Sequence, residues 1–175
     1  MTITLDQLLA SRDRRRQRQQ ALSEHFPDST LLCLTVVMPG NEKRTDVSLA
    51  VAQAACEALH AAFDATALHW EENDAPTGFE LYLVVSVPAL DAKQRVCTIE
   101  ETHHLGRLFD IDVIGSDGIP IPRAAVGREE RQCLLCDRPA RFCMRNRTHT
   151  TGQLLQHIEE TVALYLRERA RERDI

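Results

Sequence analysis

At 175 residues, 43% hydrophobic and 27% charged, the chain has the size and apolar content of one folded domain, not of a disordered segment. A formal net charge of −5 excludes a surface built throughout for nucleic acid, and no apolar run approaches membrane-spanning length. In MTITLDQLLASRDRRR the basic run follows the apolar segment, the reverse of a secretory signal. The expectation is a single cytoplasmic domain over 1–175 whose six cysteines serve as thiols or metal ligands.

Residues 4–26 predict a first helix, closed by Pro27, with Leu5, Leu8, Leu22 and Phe26 on one stripe. Carried through the middle, that stripe runs over Arg12, Arg15 and Gln19, whereas Arg14, Arg16 and Arg18 form the solvated set. Arginines facing the body of a protein need a partner. Either an acid elsewhere in the chain or an anionic ligand such as phosphate would supply one.

A strongly apolar strand follows over 30–38 and stops at Pro39-Gly40, with Lys43 just beyond in a loop. Lys43 there is either a solvated lysine or part of a binding loop. Asp46 is the expected cap of an alanine-rich second helix that runs to about Thr66, with Cys56 as a core thiol. Residues 67–71 predict a short strand and 72–78 a loop. Further strands are expected at 79–87, at 95–101 with Cys97 in the core, and at 108–114. Ser116-Asp117-Gly118 predicts a turn into a Pro-blunted edge at 119–122. The order of elements implies an α+β fold, a mixed or antiparallel sheet with helices packed on it.

The strand at 108–114 contains the densest chemistry. In GRLFDIDV the period of two puts Asp110 and Asp112 on one face and Phe109, Ile111 and Val113 on the other. Two residues of rise separate the acids by roughly 6–7 Å at Cα, which lets their carboxylates converge on a hard cation such as magnesium. The plainer reading is an exposed sheet face.

A Cys-rich basic segment, 131–149, holds Cys133, Cys136, Cys143 and His149. Four such ligands suit one tetrahedral zinc, while buried unliganded thiols are the alternative. Arg131, Arg138, Arg141, Arg145 and Arg147 make the segment basic, fit for phosphates or an acidic partner. A last helix over 151–173, capped by Thr150 or Thr151, carries the stripe Leu154, Leu155, Ile158, Val162, Tyr165 and Leu166.

Taken in order, LLASRDRRRQRQ (8–19), TVVMPGNEK (35–43), TIEETHHLGRLFDIDV (98–113) and RQCLLCDRPARFCMRNRTH (131–149) resemble the CitX family of apo-citrate lyase phosphoribosyl-dephospho-CoA transferases. The resemblance spans nearly the whole chain. His104 departs from it, standing where the family commonly has Pro. It implies a nucleotidyltransferase-like fold and transfer of a phosphoribosyl-dephospho-CoA unit from 2′-(5″-triphosphoribosyl)-3′-dephospho-CoA to a serine of the citrate lyase acyl carrier protein, with loss of pyrophosphate. It implies magnesium on Asp110 and Asp112, and phosphate contacts from Gly106, Arg107, Arg12, Arg15 and Lys43. Glu100 or His103 is the candidate base, His103 is also a candidate donor contact, and Glu100 is a candidate third metal ligand. A competing reading is a zinc-stabilised adaptor that binds an acidic protein and catalyses nothing.

Overall fold

The computed structural model describes residues 3–173. Nine principal elements follow one another: α1 (Leu5–His25), β1 (Thr30–Val36), α2 (Asp46–Phe63), β2 (Ala67–Ala75), β3 (Gly78–Val85), α3 (Ala89–Thr102), β4 (Phe109–Ile114), α4 (Ala140–Asn146) and α5 (Thr151–Arg173). The strands form one antiparallel sheet in the order β2-β3-β1-β4. The fold is therefore α+β, with a purely antiparallel sheet. Among the described residues no helix is long and apolar enough to cross a membrane.

The two faces of the sheet differ in chemistry. One buries Leu32, Leu34, Leu81, Leu83, Phe109 and Ile111 against α2, α3 and α5, in the main core. The alanines of α2, Ala52, Ala54 and Ala55, are among its most buried residues and let that helix approach closely. The opposite face is covered by α1, whose own apolar contribution is small: Leu22, with Phe26 just beyond the helix, packs on Leu31, Cys33, Tyr82, Val84 and Ile114.

Where α1 lacks apolar side chains it docks through charge. Arg15 donates to the buried Glu80 at 2.8 Å, and Arg18 makes a forked contact with Glu71. An acid of the chain, not an external anion, thus satisfies Arg15. Arg18, expected in the solvated set, is tied down instead, while Arg12 and Leu5 are exposed.

Several expected elements differ. Residues 95–101 belong to α3, not to a strand: Ala92, Val96, Ile99 and Glu100 recur at helical spacing, and Pro88 supplies the first carbonyl, to Ala92. The β-branched Val96, Thr98 and Ile99 imitate strand composition. Strand β2 extends to Ala75, so 72–78 is mostly strand closed by a tight turn at Pro76-Thr77, and its polarity reflects an edge position. Gly78 enters β3 at φ +118°, which only glycine adopts without strain. Segment 119–122 forms a single bridge, Ile114 to Pro120, because its two prolines offer no amides.

Helix α2 ends at Phe63, and its cap is Thr45 with a reciprocal Ser48 contact; Asp46 is a first-turn acid. Thr150 caps α5 through Gln153 as expected, but Leu166 is exposed.

Candidate active site

Antiparallel register arranges the α1 side of the sheet in two rows. Asp110, Thr35, Glu80 and Asn73 face one another across the four strands, and Asp112, Cys33, Tyr82 and Glu71 form the next row. A strand repeat of about 6–7 Å separates the rows. Asp110 and Asp112 therefore share one face, while Phe109, Ile111 and Val113 are buried in the core behind them.

The two acids have different surroundings. Thr35 Oγ1 donates to Asp110 Oδ2 at 3.3 Å, and Arg131 Nη1 donates to Asp110 Oδ1 at 3.1 Å. Asp112 receives no hydrogen bond among the described residues. Burial pushes its carboxyl up from the usual range, and the nearby Asp110 charge adds to this; Lys93, Arg131 and Arg15 oppose both. Two adjacent carboxylates, one of them half-buried and without a hydrogen-bond donor, match the oxygen ligands a hard divalent cation takes.

Glu100 lies beside the pair on the outer edge of β4. Its Oε1 accepts from the Ile111 amide at 3.3 Å and from Arg131, while Oε2 accepts from Arg123 at 2.6 Å. Burial pushes its pKa up; Arg131, the Ile111 amide and Arg123 pull it down. With two guanidinium partners Glu100 is occupied as a structural anion, a poor arrangement for the candidate base or third metal ligand.

Other expected residues lie elsewhere. Gly106 abuts the end of α3: a Cβ there would meet Glu100 and Ile99 carbonyl oxygens at 2.5 and 2.7 Å, so chain packing alone already requires the glycine. Arg107 donates to the Gln132 and Cys133 carbonyls and so fastens the Cys-rich segment to the start of β4. His103 Nδ1 accepts from the Leu105 amide, and its ring packs on Phe109 and Tyr165, on the side of the sheet opposite the acids. Lys43 donates to the Met38 carbonyl; burial lowers its pKa, and Arg12 nearby lowers it further. Arg12 and Lys43 thus form a cationic pair where the chain leaves β1, near the Asp110 end of the polar rows.

Cys133, Cys136, Cys143 and His149 converge, their ligand atoms all within 4.8 Å of one another. Cys136 Sγ lies 3.6 Å from Cys143 Sγ and 3.4 Å from His149 Nε2. A tetrahedral zinc with ordinary bond lengths spaces two sulfurs by about 3.8 Å and a sulfur and nitrogen by about 3.6 Å. The thiols are too far apart for a disulfide, and the set fits one metal ion. Local backbone builds this knuckle: Cys133 N bonds Arg138 O at 2.7 Å, Ala140 N bonds Arg131 O at 2.8 Å, and Arg147 closes α4 at φ 46°.

Two cations, one acting on Asp112 and one on Glu100, escape a reading that treats 95–101 as a strand. Lys93 is buried on α3, and Arg123 reaches Glu100 from the loop after β4. Read as a helix, α3 places Ala92, Lys93, Val96, Cys97 and Glu100 on one buried face. A lysine and a glutamate on such a stripe are the signal.

A family model described as apo-citrate lyase phosphoribosyl-dephospho-CoA transferase matches residues 3–165. The chain is 35% identical over 162 residues to the protein of that name from Shigella flexneri serotype 5b, covering 90% of this chain and 87% of the relative. The corresponding Escherichia coli O1:K1 protein is equally similar, at 35% over 162 residues and the same coverage. A protein named probable apo-citrate lyase phosphoribosyl-dephospho-CoA transferase from Streptococcus pyogenes serotype M18 is 32% identical over 156 residues, covering 87% of this chain and 81% of the relative.

Proposed function

The chain belongs to the family of apo-citrate lyase phosphoribosyl-dephospho-CoA transferases, and from that premise we propose that it attaches the phosphoribosyl-dephospho-CoA group to a serine of the citrate lyase acyl carrier protein. The donor is 2′-(5″-triphosphoribosyl)-3′-dephospho-CoA. The serine oxygen bonds to the α-phosphorus, the bond from that phosphorus to the bridging oxygen breaks, and pyrophosphate leaves. The serine proton passes to a base or to solvent. The reading is nucleotidyl transfer in a nucleotidyltransferase-like site; a non-catalytic adaptor finds no support in the relatives' names.

One observation carries the site assignment: Asp110 and Asp112 share a sheet face, and the charges of Arg15 on α1, Lys93 on α3 and Arg131 before α4 favour the ionised form of Asp112. Magnesium held by Asp110 and Asp112 supplies charge neutralisation on the triphosphate when bound. The chain's own groups do the rest. Asp112, without a hydrogen-bond donor, keeps its carboxylate open to a cation. Thr35 and Arg131 fix the rotamer of Asp110. Arg131 orients Asp110, Lys93 offsets the charge of Asp112, and Arg12 with Lys43 extends the positive region toward the outer phosphates. The Cys-rich knuckle holds structural zinc on Cys133, Cys136, Cys143 and His149.

The deciding experiment incubates the protein with donor, apo-carrier and magnesium and weighs the carrier. A mass gain equal to the prosthetic group supports the reading, and an unmodified carrier with active donor rejects it.

A further inference from the structure

Resting on the acid-pair reading above, we infer that the metal knuckle is a positioning device: it holds Arg131 across Asp110 and Glu100, so that loading of the Cys133, Cys136, Cys143 and His149 site sets the geometry of the acid pair.

The covalent path is short. Arg131 lies two residues before Cys133, and its carbonyl accepts from Ala140 N, at the first residue of α4, the helix that carries Cys143. Gln132 bridges to Pro139, and Arg107 clamps the Gln132 and Cys133 carbonyls from the start of β4. The backbone on the C-terminal side of Arg131 is thus pinned by the Gln132–Pro139 bridge, by the start of α4 and by Arg107 just before β4. Its side chain then spans two acids, with Nη1 on Asp110 Oδ1 at 3.1 Å and Nη2 on Glu100 Oε1.

The energetics favour an imposed geometry. Arg131 keeps 32% of its side-chain surface exposed, and a half-solvated ion pair gains little on its own against the entropy of ordering a long side chain. Glu100 is 4% exposed at its side chain and needs its guanidinium partners to remain charged beside Asp110. A rigid metal-bound knuckle meets both requirements by ordering the arginine backbone in advance. Without the metal, the four ligands within 4.8 Å are held only by the backbone bonds of the knuckle, and the arginine's anchor loosens.

The test compares Arg131→Ala, His149→Ala and the double variant, with zinc content, circular dichroism, kcat, and KM for carrier and donor. Arg131→Ala is expected to keep its zinc and its carrier KM while losing roughly 10–100-fold in kcat, the usual effect of removing a group that orients a metal-binding side chain. His149→Ala is expected to lose zinc and show a similar kcat loss, and the double variant to be no worse than either. Methylguanidine should restore part of the activity of Arg131→Ala, which a purely structural role would not permit.

A folded, zinc-free His149→Ala with wild-type kcat overturns the inference, as do losses that multiply in the double variant. If His149→Ala does not fold, the guanidine rescue decides: no rescue overturns the inference. Failure of the underlying reading shows separately, as wild-type transfer by Asp112→Asn.

Discussion

Arg15 of α1 and Glu80 of β3 meet at 2.8 Å on a sheet face where the helix has almost nothing apolar to offer. Glu80 is buried and also accepts from Tyr82 Oη at 2.8 Å and Asn73 Nδ2 at 3.3 Å. Burial, followed by the Glu80 hydrogen bond, pushes the Tyr82 pKa upward, so the phenol stays protonated and donates. The first prediction concerns this pair. Arg15→Met leaves a buried carboxylate without its cation and should cost about 3–5 kcal/mol in urea unfolding. The double variant Arg15→Met, Glu80→Met should recover most of that loss. A single variant as stable as wild type would show that the contact does not hold α1 to the sheet.

The second prediction separates activity from stability at Asp112. Asp112→Asn removes the charge a metal needs, and transfer should fall on the order of a hundredfold or more. The same change should raise the melting temperature of the metal-free protein at neutral pH, because the ionised carboxyl is destabilised by burial and then by Asp110. Its folded pKa lies above the unfolded value of about 4, so wild type loses stability as pH rises from there through the raised folded pKa. The variant should lack that slope. Magnesium should stabilise wild type most above this window and leave Asp112→Asn nearly unmoved in calorimetry.

A third prediction concerns metal content. Elemental analysis of protein purified without chelator should find about one equivalent of zinc, and strong chelation should lower the melting temperature. Stable, metal-free protein would make Cys133, Cys136 and Cys143 ordinary thiols.

The fourth addresses the acceptor. The knuckle presents Arg138, Arg141, Arg145 and Arg147 together with Phe142 and Met144, the last 77% exposed, on a chain whose net charge is −5. A basic patch with an apolar tip on an acidic protein has the charge expected of a surface that steers in an acidic carrier. Reversing Arg141 and Arg145 to Glu should raise the KM for carrier roughly tenfold at low salt and leave the donor KM unchanged. The difference should shrink in high salt. An effect confined to the donor would assign these arginines to the phosphates instead.

The sequence made the acid pair legible because a period of two fixes which side chains share a face, and no tertiary contact alters that. Cys133, Cys136, Cys143 and His149 were legible for a similar reason, since ligand type and spacing carry the geometry. Helix α3 was hidden by β-branched residues that pack equally well on a helix once Pro88 starts it, and with it went Lys93. What Arg107 and Gly106 touch was not legible: the arginine meets carbonyls of the knuckle, and the glycine meets α3. Which partner a cation finds depends on chain segments far apart in sequence, and that information resides in the packing.

Both outer strands of the sheet are also protected against recruiting further strands. The free edge of β4 spends its Ile111 amide on the Glu100 carboxylate and its Val113 carbonyl on the Ile121 amide. On the other side, β2 ends in exposed Glu72, Asn73 and Asp74, an edge that repels its own kind. A further role for Glu100 follows: by covering an otherwise open backbone donor on an edge strand, it guards the protein against self-association through β-pairing. Loss of that carboxylate would leave β4 an open template for aggregation.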